Sequence, residues 1–290
     1  MKASFRGRAL FVAWVVLAIA PLTAAQRRVS IVSWNVWGLP FHHAPSRLPR
    51  VVERIRSIGP DFVILQEVWL RPYATHFRNA FENRYDFAEY KSIAPLRTGG
   101  LLVLADRSRG WHVTGTRFVE FRRTAPFWRV WEMDGLSGKG FLVVDVRNDD
   151  GTSLRLIATH LQSQYGKGRE YEEVRGAQLT QLNDFVRSYA ATPIVLAGDF
   201  NTTPKGNDAK LYHSFADGMW TDFTAIARAK CLPLEKCGTH FNGTALTNEW
   251  IDYIFARPES LAAATVDLIR NQPPLSLSDH EGVQALIDIK

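Results

Sequence analysis

The chain has 290 residues, a formal charge of +6 and two cysteines. Three of its positive charges, Lys2, Arg6 and Arg8, sit in an N-terminal segment that carries no acid, so the remaining excess neither demands nor excludes a nucleic-acid partner. One pair of cysteines excludes a zinc site built from two such pairs, and the lack of Gly/Ser linkers, low-complexity tracts and repeats leaves a single domain.

Lys2, Arg6 and Arg8 precede an apolar run from Ala9 to Ala20, which Pro21 breaks before the small residues Thr23-Ala24-Ala25. This order predicts a cleaved export signal over 1–25, followed by a catalytic domain over 26–290. The run is shorter than the roughly 20 apolar residues that span a bilayer. The expected destination is the periplasm or the medium.

Short apolar, β-branched runs then predict strands at Val29–Trp34, Phe62–Gln66 and Gly100–Ala105, and again at Phe141–Val146, Ser153–Thr159, Ile194–Gly198 and Ile251–Phe255. Two more are expected near Trp128–Met133 and Leu261–Leu268. A helix is predicted over Arg47–Ser57, with Leu48, Val51, Val52 and Ile55 on one stripe and Gly59-Pro60 ending it. A second is predicted over Tyr171–Tyr189. Two sheets packed face to face with helices outside would bury these strands on both faces.

Polar residues stand where the apolar runs stop. Asn35 follows the first strand, Gln66-Glu67 the second, His160 the fifth, and Asp199 and Asn201 the sixth. Asp252 lies inside the apolar segment Trp-Ile-Asp-Tyr-Ile-Phe and needs a partner, for which an imidazole is suitable. Asp279-His280 joins an acid to an imidazole, a pairing suited to metal binding and proton transfer. Taken singly, Asn35 reads as a turn residue and His160 as a core histidine, Glu67 reads equally well as a metal ligand or half of a salt bridge, and Asp199 and Asn201 could form an Asx turn before Pro204. Cys231 and Cys237, six positions apart, could close a small disulfide in an oxidising compartment; two free thiols are the alternative.

The set Asn35, Gln66-Glu67, Gly198-Asp199-Phe200-Asn201, Ile251-Asp252-Tyr253 and Ser278-Asp279-His280 resembles the endonuclease/exonuclease/phosphatase superfamily over nearly the whole chain. Finer likeness is to neutral sphingomyelinases, through Asn35-Val36-Trp37-Gly38-Leu39-Pro40, Ser137-Gly138-Lys139-Gly140 and Thr159-His160-Leu161. The resemblance implies an α/β fold: a four-layer, DNase I-like sandwich of two packed mixed β-sheets flanked by helices. It implies hydrolysis of sphingomyelin to ceramide and phosphocholine with one or two Mg2+ ions. Glu67 would hold the ion with Asn35 beside it, and Asp199, Asn201 and Asp279 would line the opposite side. His280 would be the general base, oriented by Asp252, with His160 and Asn201 stabilising the transition state.

Lys139 lacks the upstream glycine spacing of a Walker A loop. It reads either as a lysine aimed at phosphate or as a solvent-facing turn residue. The expected partner is a phospholipid at a membrane surface, and no obligate protein partner is evident. Ala256 to Leu277 has no aromatic residue for membrane contact, whereas Phe127-Trp128 and Trp131 lie among Arg122, Arg123 and Arg129 and suit a headgroup boundary, or else fill the core. Two further substrates stay open. One is DNA, met by a row of Arg47, Arg50, Arg54 and Arg56; the other is a lyso-choline lipid.

Overall fold

The computed structural model describes residues 27–289 except 40–41, 91–98, 127–137, 166–168, 190–191, 232–236, 243–244, 258, 260 and 271–276. The segment expected to be a leader, the strand expected near Trp128–Met133 and the patch expected at Phe127, Trp128 and Trp131 lie outside the described residues.

One sheet comprises β1 (Arg27–Asn35), β2 (Phe62–Gln66), β3 (Tyr85–Glu89), β4 (Leu102–Asp106), β13 (Leu261–Ile269) and β14 (Gly282–Ile289), in the order β13-β14-β1-β2-β4-β3. The other comprises β5 (Trp111–Glu120), β6 (Gly140–Asn148), β7 (Ser153–His160), β8 (Ile194–Asp199), β9 (Thr221–Asp222) and β12 (Asp252–Ala256), in the order β5-β6-β7-β8-β12-β9. β10 (Phe241–Asn242) and β11 (Ala245–Leu246) form a small hairpin. The helices are α1 (Ala44–Ile58), α2 (Arg71–Phe81), α3 (Glu170–Arg187), α4 (Ala209–Ala216) and α5 (Thr224–Lys230).

The sequence builds these layers by alternation. In the first sheet Val29, Ile31, Phe62, Ile64, Val103 and Ala105 face the second sheet, and share a core with Phe141, Leu156, Leu196 and Phe255. Their neighbours Val32, Trp34, Val63, Leu65, Leu102 and Leu104 face outward onto Val51, Val52 and Ile55 of α1 and Phe77 and Phe81 of α2. Leu179, Leu182 and Val186 of α3 cover the second sheet. Each such side chain stabilises the fold by about 1.5–3 kcal/mol when fully buried, so no strand can turn over without losing one of two cores. α1 ends at Gly59, whose left-handed φ of 58° lets its N–H donate to the Ile55 carbonyl at 2.9 Å.

Each sheet is centred on one parallel pair: β1 with β2, joined through α1, and β7 with β8, joined through α3. The carboxyl ends of these four strands therefore meet at one edge of the sandwich. The register sets Asn35 beside Gln66 and His160 beside Asp199. β12 runs antiparallel to β8 and starts with Asp252 opposite Asp199. β14 runs antiparallel to β1, so His280, just before it, enters from the same edge. Strand direction alone gathers residues spread over most of the chain.

Candidate active site

Asn35 lies at the centre. Its amide NH2 donates to Glu67 Oε1 and to Asp199 Oδ2, both at 3.0 Å, and lies 3.4 Å from His280 Nε2. Its Oδ1 accepts from the Trp37 N–H at 3.0 Å. Asn35 presents donors to two of the acids and holds Glu67 and Asp199 in register across the two sheets. Trp69 Nε1 donates to the other Glu67 oxygen at 3.3 Å.

The acids crowd one another at the cleft, Asp199 fully buried and Glu67 and Asp279 partly exposed. Burial, reinforced by nearby Asp279, pushes Glu67 up to about 7. Burial and then Asp252 push Asp199 up to about 6. Burial also raises Asp279, against the pull of His280 and His240. A shared cation relieves such a set, since each charge is costly to bury alone. Asp252 Oδ1 and both ring nitrogens of His160 are buried without hydrogen-bond partners, so the polar groups here are incompletely satisfied by the protein. Asp199, Asp252 and His280 each offer a ligand atom within 4.8 Å of the others, and the carboxylates of Glu67 and Asp279 on the same cleft are the kind of oxygen donor that a hard dication prefers.

His280 Nδ1 lies 2.8 Å from Asp252 Oδ2, which leaves Nε2 facing Asp199 Oδ2 at 3.7 Å and Asp279 Oδ1 at 3.9 Å. Burial opposes charge on this ring, but Asp252 and Asp199 outweigh it and hold the imidazole well above its usual value. The backbone of His280 is fixed on both sides: its N–H donates to Ser278 Oγ at 3.1 Å, and its carbonyl accepts from Trp34 Nε1 at 3.0 Å. Ser278 Oγ in turn donates to the Asn35 carbonyl at 2.6 Å. Thr239 Oγ1 accepts from the N–H groups of Ile251 and Asp252, both at 3.1 Å. His160 is 2% exposed. Burial, then Lys139, lowers it well below the usual imidazole range, so the ring is neutral. Its Nε2 is 3.6 Å from Asp199 Oδ2 and 4.0 Å from Glu67 Oε1.

The backbone is strained at the same place. Trp37, Glu67 and Asn201 have φ values of 51°, 61° and 47°, a region that side chains other than Gly rarely occupy. Asn201 is held there by its N–H on Asp199 Oδ1 at 2.9 Å and its amide on the Leu161 carbonyl at 3.2 Å. Gly38 and Gly198 allow the close approaches required: a Cβ would meet the Glu67 carbonyl oxygen or the Thr159 carbonyl oxygen, each at 1.9 Å.

Two sequence expectations are corrected. Lys139 neither faces solvent nor borders the cleft; it is 1% exposed, and its Nζ donates to the Leu161 carbonyl, the same oxygen that holds Asn201. Its charge acts from below, lowering both Glu67 and His160. Arg47 is no part of a surface phosphate row. It is buried and donates to the carbonyls of His42, Val36, Trp37 and Leu277, stacking over the Trp37 ring. Cys231 and Cys237 are bonded, with α-carbons 5.7 Å apart.

The cleft above these residues has a volume of about 430 Å3, with Trp37, Glu67, Asp199, Asn201, Asp279 and His280 among its lining. Sequence reasoning missed His240 and Glu249, which also border it. Thr-His just after Cys237-Gly238 was the available signal for His240.

Two sheets with their parallel strand ends converging on buried acids and a histidine–aspartate pair define the class of metal-dependent phosphoester hydrolases. The chain belongs to the Endonuclease/Exonuclease/phosphatase family, whose model matches residues 32–280. It is 24% identical over 294 residues to the inositol phosphosphingolipids phospholipase C of Schizosaccharomyces pombe, covering 90% of this chain and 68% of that protein. Among solved structures it resembles a humanized D. rerio TDP2, with TM-score 0.70, 21% identity, and 90% of this chain and 98% of that one covered. It also resembles sphingomyelinase C from Streptomyces griseocarneus, with TM-score 0.66, 18% identity and coverage of 90% and 99%. At these identities the solved structures establish the shared fold.

Proposed function

We propose that the protein is an exported, Mg2+-dependent phospholipase C that hydrolyses sphingomyelin or a closely related phosphosphingolipid, releasing ceramide and the phosphorylated headgroup. The observation that carries the phosphodiesterase reading is His280 Nε2, aimed past Asp199 and Asp279 while Asp252 holds Nδ1. The sphingolipid reading is supported by the likeness to the yeast phospholipase C over 90% of the chain. The sphingomyelinase motifs around Asn35, Lys139 and His160 point the same way.

Glu67, with Asp199 and Asp279 across from it, would hold the ion, and Asn35 sets their spacing. The bound ion would polarise the phosphoryl oxygens and offset charge developing on them. His280 Nε2 takes a proton from the attacking water. Asp252 fixes the tautomer and stabilises the imidazolium that results. The Asn201 amide, which borders the cleft, donates to the phosphoryl oxygens as negative charge grows, while neutral His160 stands buried behind Asp199 and Glu67. Water adds to phosphorus, the bond to the ceramide oxygen breaks, that oxygen takes a proton from solvent water, and His280 returns its own proton to solvent.

Export is supported by the leader-like residues 1–25 and by the Cys231–Cys237 bond, which persists in oxidising compartments. The nuclease alternative is weakened by Arg47, which is committed to four carbonyls. A single assay tests the proposal. Sphingomyelin, an inositol phosphosphingolipid, lyso-phosphatidylcholine, plasmid DNA and inositol polyphosphates are each offered with Mg2+ and with EDTA. Cleavage of DNA with no release of ceramide from either sphingolipid would overturn it.

A further inference from the structure

His240 has no role in the mechanism above, yet it stands against the proposed base. The N–H of Glu281 donates to the Thr239 carbonyl at 2.8 Å, and the N–H of Phe241 donates to the Asp279 carbonyl at 2.7 Å. These bonds bracket His240 and His280, which form an antiparallel bridge. The two are therefore a non-hydrogen-bonded cross-strand pair, the kind whose side chains lie closest and on one face. Their ring centroids are 5.1 Å apart. Asp279 adds a carboxylate, and one ligand atom each from His240, Asp279 and His280 lies within 4.8 Å of the others. His240 borders the cleft. Its Nδ1 is buried with no hydrogen-bond partner, Glu249 Oε2 standing 3.6 Å away.

Two imidazoles and one carboxylate suit a borderline transition ion such as Zn2+, whereas Mg2+ prefers oxygen and keeps its waters. Tetrahedral bonds of about 2.0 Å place donors roughly 3.3 Å apart, a closure within reach of side-chain rotation at the partly exposed His240. His280 is already held as such ligands are, with its other nitrogen on a carboxylate, Asp252, at 2.8 Å.

We propose that His240, Asp279 and His280 form an inhibitory site for Zn2+ or a similar imidazole-seeking ion, separate from the oxygen-lined Mg2+ position except for Asp279. Occupancy blocks hydrolysis because the ion takes the Nε2 lone pair that must accept the proton from water. The inhibitory half rests on the phosphodiesterase reading; the binding half does not.

The test uses the full chain without an affinity tag, in excess Mg2+, as wild type, His240→Ala and His240→Phe, each checked for native melting. Calorimetric titration with Zn2+ and visible absorption with Co2+ report binding. The Zn2+ concentration that halves hydrolysis reports inhibition. One Zn2+ per wild-type chain is expected, with affinity at least about 10-fold weaker in both variants and the inhibiting concentration raised in parallel. Equal affinity in all three proteins, or no binding by wild type, overturns the proposal. Histidine-dependent binding by a wild type that cleaves no ester upholds the site and counts against the phosphodiesterase reading instead.

Discussion

His280 and Asp252 meet through a 2.8 Å contact between Nδ1 and Oδ2, with Asp252 starting β12 and His280 standing just ahead of β14 in the other sheet. The pair thus bridges the sandwich, and its geometry depends on how the two sheets dock. Asp252→Asn keeps the shape and removes the charge. It is expected to lower kcat by about 10²–10⁴ while leaving KM nearly unchanged. Because Asp252 is a main cause of the raised imidazole, the acid limb of the kcat–pH profile should move to lower pH. Full turnover with an unmoved profile would remove Asp252 from the mechanism.

Glu67→Gln separates metal binding from folding. Burial and then Asp279 raise the wild-type carboxyl to about 7, so its ionised form strains the metal-free protein. The sign is that of any raised carboxylate. Its contribution to stability is complete below the unfolded value near 4.5 and is lost as pH rises through about 7, on the order of 1–3 kcal/mol. At pH 8 in EDTA the variant should therefore melt no lower than wild type. With Mg2+ it should gain little stability and turn over at least about 100-fold more slowly. A variant that unfolds readily in EDTA would mean that Glu67 is structural.

Metal stabilisation should depend on pH in a defined sense. Protons must leave Glu67, held at about 7, and Asp199, held at about 6, before both can serve a cation. The rise in Tm on adding Mg2+ should be small at pH 5 and should grow through pH 6–8. Calorimetry at the same pH values should show proton release on binding. A Tm shift that is constant across this range would contradict the assignment of these acids as ligands.

Lys139→Met tests a cation working from beneath the site. The Leu161 carbonyl loses a charged donor, which costs about 1.5–3 kcal/mol. Glu67 loses a charge that lowers it. The variant should melt lower, and its Mg2+-induced rise in Tm should appear at higher pH than in wild type. If KM alone changes, Lys139 touches substrate after all.

Reduction of the Cys231–Cys237 bond should affect stability and spare chemistry. Closing a ring this short stabilises by about 2 kcal/mol through the unfolded chain. A Cys231→Ser/Cys237→Ser double variant should lower Tm accordingly and retain wild-type kcat. Loss of activity at a temperature where the variant remains folded would link the ring to the cleft.

The sequence by itself pointed to the two-sheet sandwich and to most of the acids and histidines at its edge, His240 and Glu249 excepted. Strands buried on both faces read as continuous apolar runs, such as Phe62–Leu65 and Ile194–Ala197, and a carboxylate inside one, such as Asp252, has few structural excuses. Half-buried elements were less legible. β14 alternates inward and part-exposed residues along Gly282–Ile289, β5 is largely exposed on one face, and α2 buries only Tyr73, Phe77 and Phe81. Each interleaves polar with apolar residues, so none stood out as a continuous apolar run. Partnership was decided only by tertiary structure. Asn35 reaches Asp199 across 164 positions, Lys139 turns inward to a carbonyl, Arg47 caps a loop, and His240 is brought against His280. Periodicity reports how much water a residue sees. Which groups meet once water is gone is set by strand direction and register between segments far apart in the chain.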